Sequence, residues 1–176
     1  SAMSPYSGSL KFAGCKGYIP VSANFVAPWS VETHWPAYCE GAQKGERTPD
    51  PKKWRVARSI YVADTDREAE NFVKGPGGAY DYYYEYLFTI FDRSDFKAPF
   101  VVNPDDDPAD LKPQNLRDAC VIYGNPDTVA QKILDFRDRV GDFGTILYAA
   151  HDWVDKKAMK RSVQLFADEV MPRINS

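Results

Sequence analysis

An α/β fold built on a parallel sheet is what this sequence predicts, and three observations carry that expectation. Apolar runs of strand length alternate with segments of helical period, the signature of repeated β-α units. Residues 54–63 read as the clearest strand, with Trp54, Val56, Ile60 and Val62 on one face and Arg58 between them. Residues 143–150 form an apolar run of the kind expected of a parallel strand buried on both faces.

The elements follow in order. The opening stretch reads as the tail of a strand, a turn, a short helix and a strand over 18–23. The turn Ser4-Pro5-Tyr6-Ser7-Gly8-Ser9 puts three hydroxyls where a helix begins. Free N–H groups and the positive end of the helix dipole suit a phosphate there. A Ser7 or Ser9 that merely caps the helix accounts for the same residues. A helix capped by Ser30 carries the stripe Val31, Trp35, Tyr38 and Ala42, with Pro36 loosening its start. Thr65-Asp66-Arg67-Glu68 is a capping box and opens a helix that Gly75-Pro76-Gly77-Gly78 ends.

Residues 80–91 form a strongly aromatic helix, and 103–113 a polar loop with a cluster of Asp. That cluster lacks EF-hand spacing, so a solvated turn is expected rather than a calcium site. A short apolar run over 119–123 precedes a helix capped by Asn125 and opened by Pro126, with stripe Val129, Ile133, Phe136 and Val140. Gly141 stops it. Asp155 caps a last helix with stripe Met159, Val163, Phe166 and Val170. Only three complete strands and a stub can be counted. An eight-stranded barrel needs on the order of 200 residues or more, so 176 residues in this order read as half a barrel in one domain, 1–176.

Composition narrows the function. Net charge of −3 without a Lys/Arg cluster argues against nucleic acid and anionic membrane as partners. No apolar run approaches the roughly 20 residues that span a bilayer, and no signal peptide is visible. Cys15, Cys39 and Cys120 are odd in number and widely spaced, which suggests reduced thiols in the cytoplasm. Two histidines, His34 and His151, make a metal centre an unlikely reading. Aromatic content of 14% suggests extensive ring packing or an apolar ligand pocket. GxGxxG, GxxxxGK[ST] and GxSxG are all missing, so dinucleotide, P-loop and hydrolase readings have no support.

Six segments together resemble the C-terminal half of the bacterial luciferase-like flavin-dependent monooxygenases. They are SPYSGS with GYIPVSANF, His34-Trp35, WRVARSIYVADTD, YGNPDTV, GDFGTILYAAHDW and LFADEVMP, in the family's order along the whole chain. The nearest likeness is to the branch with diketocamphane and limonene-type enzymes. The resemblance implies a (β/α)8 barrel of which this chain covers the end of strand 5 through helix 8. It implies reduced FMN supplied by a separate reductase, dioxygen, and a small apolar carbonyl or terpenoid-like substrate.

Site residues follow from the same resemblance. Ser4 and Ser7 match the hydroxyl positions that contact the flavin phosphate, and Ser22 and Asn24 would end a strand on the same barrel face. The family's strands 1 to 4 have no counterpart here, so catalytic residues are not assigned and this stretch is expected to be inactive alone. His151, Asp152 and Trp153 read as a capping and packing cluster ahead of a catalytic histidine, and Arg58 as half of a structural ion pair. Residues 80–91 could line a substrate pocket, with core packing the default for such a stripe. A deazaflavin-dependent oxidoreductase and a non-catalytic flavin- or partner-binding half-barrel are the competing functions. Open sheet edges lead to the expectation of a homo-oligomer.

Overall fold

A computed structural model describes residues 1–151 and 154–175. It has the expected class: a parallel sheet with helices packed on it. The strands are β1 (Val21–Ser22), β2 (Arg55–Val62), β3 (Val121–Gly124) and β4 (Thr145–Ala149). All named pairings are parallel and all run through β2. Arg55 pairs with both Val21 and Thr145, so β1 and β4 lie on opposite edges of β2. Ser59 pairs with both Val121 and Ala149, so β3 continues the edge that β1 begins. Ala2 adds a parallel bridge to Ser22 beyond β1, which is the expected strand tail.

β2 is the central strand because its side chains suit two buried faces. Val56, Ile60 and Val62 point to α7 (Pro126–Val140), where Val129, Ile133, Phe136 and Val140 bury the stripe read from the sequence. Ser59, Tyr61 and Ala63 point the other way. There Tyr61 and Ala63 join Tyr80 and Tyr84 of the aromatic helix α5 (Ala79–Arg93). Helix boundaries follow local chemistry. Thr65 accepts from the Glu68 amide to start α4 (Asp66–Lys74), and Asn125 accepts from the Thr128 amide to start α7. The two helix starts are also tied together. Asp66 accepts from the Asn125 backbone at 2.8 Å and from the Thr128 hydroxyl at 3.2 Å.

Several expectations are corrected. β1 is two residues rather than the expected six of 18–23. The Ser30 helix is two helices, α2 (Pro28–Glu32) and α3 (His34–Lys44), broken at Thr33; Ser30 lies inside α2, buried, and caps nothing. The apolar run over 119–123 spans the end of a helix not anticipated, α6 (Pro113–Cys120), and the start of β3. β4 is not buried on both faces, since Thr145 and Leu147 are exposed, and among the described residues it is bonded only to β2. Asp155 does cap α8 (Lys156–Leu165), but a π-turn, Phe166–Val170, follows before α9 (Met171–Ile174). Ahead of that turn the buried stripe runs Met159, Ser162 and Leu165 and leaves Val163 exposed, while Phe166 and Val170 are buried as expected.

α1 (Gly8–Lys16) packs hard against α3, and two glycines permit it. A Cβ on Gly41 would lie 1.9 Å from the Lys11 carbonyl oxygen, and one on Gly14 would lie 2.1 Å from that of Tyr38. Both obstacles are backbone, so neither can swing away. No helix among the described residues is long and apolar enough to cross a membrane. Gly41→Ala should destabilise the protein by about 3 kcal/mol or more, because the helices must separate to admit the methyl group. Urea unfolding of the variant checks this, and an unchanged midpoint would show that the crossing is looser than drawn.

Candidate functional site

The strands are parallel, so the segments that follow their C-terminal ends gather on one side of the sheet. Sites in such folds form there. The first turn follows Ala2, Asn24 follows β1 and His151 follows β4.

The first turn is held from below by a chain of buried polar groups. Trp54 Nε1–H donates to Ser22 Oγ at 3.0 Å, and Ser22 Oγ lies 2.8 Å from His34 Nδ1. His34 Nε2 lies 3.1 Å from the Ser4 carbonyl oxygen. A carbonyl can only accept, so Nε2 carries the proton and Nδ1 accepts from the Ser22 hydroxyl. The whole chain then has one direction, from Trp54 through Ser22 and His34 to Ser4. Burial lowers the pKa of His34 to about 4, which keeps the ring neutral and the chain intact. Next to it, Thr33 Oγ1 accepts from the Tyr6 amide at 2.8 Å and donates to the Ser30 carbonyl at 2.7 Å. Tyr6 holds a left-handed backbone, φ 51°, at the tip of the turn.

Thus pinned, the turn presents the start of α1. Ser7 occupies the N-cap position, yet its side chain makes no capping bond. Its hydroxyl instead meets that of Ser9 at 2.8 Å. The helix therefore begins without a side-chain acceptor for its first amides. A Cβ added to Gly8 would meet nothing within 4 Å, so the approach to those amides is open.

A second cluster lies where β1 and β4 end, around Ser59 within β2. Asn24 Nδ2 donates to Ser59 Oγ at 3.0 Å and to the Tyr83 hydroxyl at 3.1 Å. The Ser59 hydroxyl also lies 3.2 Å from that of Tyr84 and 2.7 Å from His151 Nε2. The His151 ring meets Tyr80 edge-on, with centroids 4.6 Å apart, and tilts over Tyr83 at 4.1 Å. Burial again lowers the histidine, to about 4. Tyr80 and Tyr84 are pushed well above their ordinary pKa by the same desolvation.

Arg58 supports this cluster from the opposite face of β2, and not through the expected ion pair. It has no carboxylate partner among the described residues. Nη1 donates to the Val26 carbonyl at 2.7 Å and reaches that of Asn24 at 3.4 Å, while the guanidinium lies 4.2 Å over the Phe136 ring. Nε and Nη2 are buried with no protein partner. Desolvation lowers the Arg58 pKa.

The four residues singled out in the sequence therefore fall into two groups. Ser4 and Ser7 share the first turn, and Ser22 lies under it with its hydroxyl engaged by Trp54 and His34. Asn24 belongs to the second cluster. Asp152 and Trp153 lie outside the described residues. His34, Ser59, Tyr83 and Tyr84 were not singled out as site residues; the run of tyrosines from 80 to 86 was the available signal, since buried phenols need partners.

Comparison with known proteins bears out the resemblance read from the sequence. A 3,6-diketocamphane 1,6-monooxygenase of Pseudomonas putida is 34% identical over 171 residues, covering 96% of this chain and 44% of that protein. A 2,5-diketocamphane 1,2-monooxygenase of the same organism is 32% identical over 173 residues, covering 97% of this chain and 47% of that protein. Among solved structures, a type II Baeyer–Villiger monooxygenase matches with a TM-score of 0.81 at 33% identity, over 97% of this chain and 47% of that one. That protein is the oxygenating constituent of 3,6-diketocamphane monooxygenase from Pseudomonas putida, in complex with FMN. No family model matches the chain. The chain spans about half the length of the curated relatives it matches.

The two buried histidines make stability depend on acidity. Each binds a proton less readily in the fold, at about 4, than in the unfolded chain, near 6.5. Their stabilising contribution is therefore complete above pH 6.5 and falls as pH drops toward 4. Between pH 7 and pH 5 each should remove about 2 kcal/mol of unfolding free energy. Denaturant titrations at the two pH values test this, and equal stabilities would mean that the rings are charged or solvated in the fold.

Proposed function

We propose that this chain is the flavin-phosphate half of an FMN-dependent monooxygenase that oxygenates a small apolar ketone. The observation that carries the reading is the uncapped start of α1 behind a rigidly held hydroxyl turn. A phosphate would take the place of the missing cap. Ser4 and Ser7 would donate to its oxygens, with the first amides of α1 alongside. Ser22 would act indirectly, by fixing His34 and so the Ser4 carbonyl. Asn24 would face the flavin side of the second cluster.

Support for the flavin comes from the FMN in the related solved structure, and for the ketone from the names of the relatives. When bound, reduced FMN would supply the activation of dioxygen. This chain's share is to anchor the phosphate, to exclude water with the aromatic rings of α5, and to keep its histidines neutral. The segment would correspond to the end of strand 5 through helix 8 of the barrel, acting with a separate flavin reductase. Three free thiols fit a reducing setting such as the cytoplasm.

The phosphate reading is tested by flavin-fluorescence titration. Hydrogen bonds to a charged group contribute about 1.5–3 kcal/mol each, so Ser4→Ala/Ser7→Ala should raise the Kd for FMN at least about tenfold. Circular dichroism confirms that α1 survives. Undiminished affinity in a folded double variant would remove the turn from the site.

Taken apart from the rest of a barrel, this chain should assemble with a second copy through β4. Among the described residues β4 is bonded along one edge only, and its apolar side chains are half-exposed. Open parallel edges are normally covered. Multi-angle light scattering should return a mass of at least two chains. A monodisperse single chain that binds no hydrophobic dye would overturn this.

A further inference from the structure

The hydroxyl of Ser59 fixes the state of His151. A serine hydroxyl has one proton to donate and can accept twice. Ser59 Oγ already accepts from Asn24 Nδ2. Among the described residues the fully buried Tyr84 hydroxyl has no other partner, so its proton goes to Ser59 Oγ at 3.2 Å or is left unsatisfied. Both acceptor positions are then occupied. The one proton of Ser59 is left for His151 Nε2, at 2.7 Å. A ring nitrogen that accepts carries no proton, so in the neutral ring the proton sits on Nδ1. Nothing among the described residues accepts from Nδ1, although His151 as a residue is 9% exposed.

We propose that His151 is a substrate-binding residue that offers Nδ1–H to the carbonyl oxygen of a ketone at the end of β4. This deepens the monooxygenase reading and rests on it. The setting suits such a donor. A neutral imidazole binds a carbonyl without bringing a counter-charge into an apolar site. Its orientation is set on three sides, by Ser59, by the Tyr80 edge and by the Tyr83 ring. Arg58, from behind β2, holds the carbonyls of Asn24 and Val26, and so holds the Asn24 amide that saturates Ser59. An oxygen held at Nδ1 has its carbonyl carbon polarised for attack by a nucleophile.

The test has two readings on the full chain. Long-range proton–nitrogen correlation spectra of the imidazoles show which nitrogen is protonated. The expected result is Nδ1–H for His151 and Nε2–H for His34 in the same spectrum; Nε2–H at His151 would overturn the proposal. Adding 3,6-diketocamphane should then shift the His151 Nδ1 signal. His151→Phe should weaken binding of this ketone at least tenfold while leaving the Kd for FMN within twofold. His151→Asn, whose amide can place a donor near Nδ1, should keep ketone affinity within about threefold. A wild-type chain that binds no ketone, or a Phe variant that binds it as well as wild type, would overturn the proposal. Loss of FMN binding in the Ser4/Ser7 variant, or its persistence, bears only on the phosphate turn, so the two readings fail separately.

Discussion

Everything in this fold depends on one strand having two bonded edges and two buried faces. A strand residue can pair once on each side, and β2 uses both: β4 along one edge, β1 and β3 end to end along the other. Its alternation then divides the molecule. Even-numbered positions meet the helices, where Val56, Ile60 and Val62 are buried with α7. Odd-numbered positions meet α5, where Ser59 and Tyr61 face tyrosines. A slip of one residue would exchange the faces. It would carry Arg58 among the phenols and Ser59 against Phe136. Register and site are thus the same specification.

The polar groups buried around this strand are not isolated concessions to function. Most are held through a partner, and the partner sets direction. His34 carries its proton on Nε2 because a carbonyl lies there, and the Ser22 hydroxyl must then point at Nδ1. Both histidines are buried and share a depressed pKa, yet their partners demand opposite tautomers. Together with Ser30, whose hydroxyl is also buried without a partner among the described residues, Arg58 departs furthest from this. Two of its nitrogens are buried without partners, a cost that the Val26 carbonyl and the Phe136 ring only partly offset. An ion pair would be the ordinary solution. What Arg58 does instead is hold two backbone carbonyls of the segment after β1, and no carboxylate could serve that end.

Much of the architecture was legible from local chemistry. Capping residues at Thr65, Asn125 and Asp155 act over three residues of chain, so pattern alone identifies them. The same holds for the α7 stripe and for the alternation of β2. The misreadings are all tertiary. The apolar run at β4 suggests two buried faces, but apolarity does not say whether a layer covers each face. The stripe of α8 differs at Val163 because the polar Ser162 takes the buried position, where its hydroxyl accepts from the Val62 amide. Ser30 resembled a cap, yet the helix had already begun at Pro28. In the site, Ser4 and Ser7 were visible as a turn, whereas Ser59 was invisible. A lone serine in a strand has no local signature, and its importance comes from residues 24, 84 and 151 converging on it.

That convergence explains why the site and the fold's acid sensitivity share a cause. An imidazole that must stay neutral to accept from a serine has to be shielded from water, and shielding is what lowers its pKa. At His34 the shield is the contact between α1, α3 and Trp54; at His151 it is the tyrosines of α5. Loosening either shield would restore an ordinary pKa and remove the penalty for protonation. It would also free the ring to turn and release the Ser4 carbonyl, or the Ser59 hydroxyl, that it holds. The protein therefore cannot gain acid stability at these positions without surrendering the geometry that they maintain.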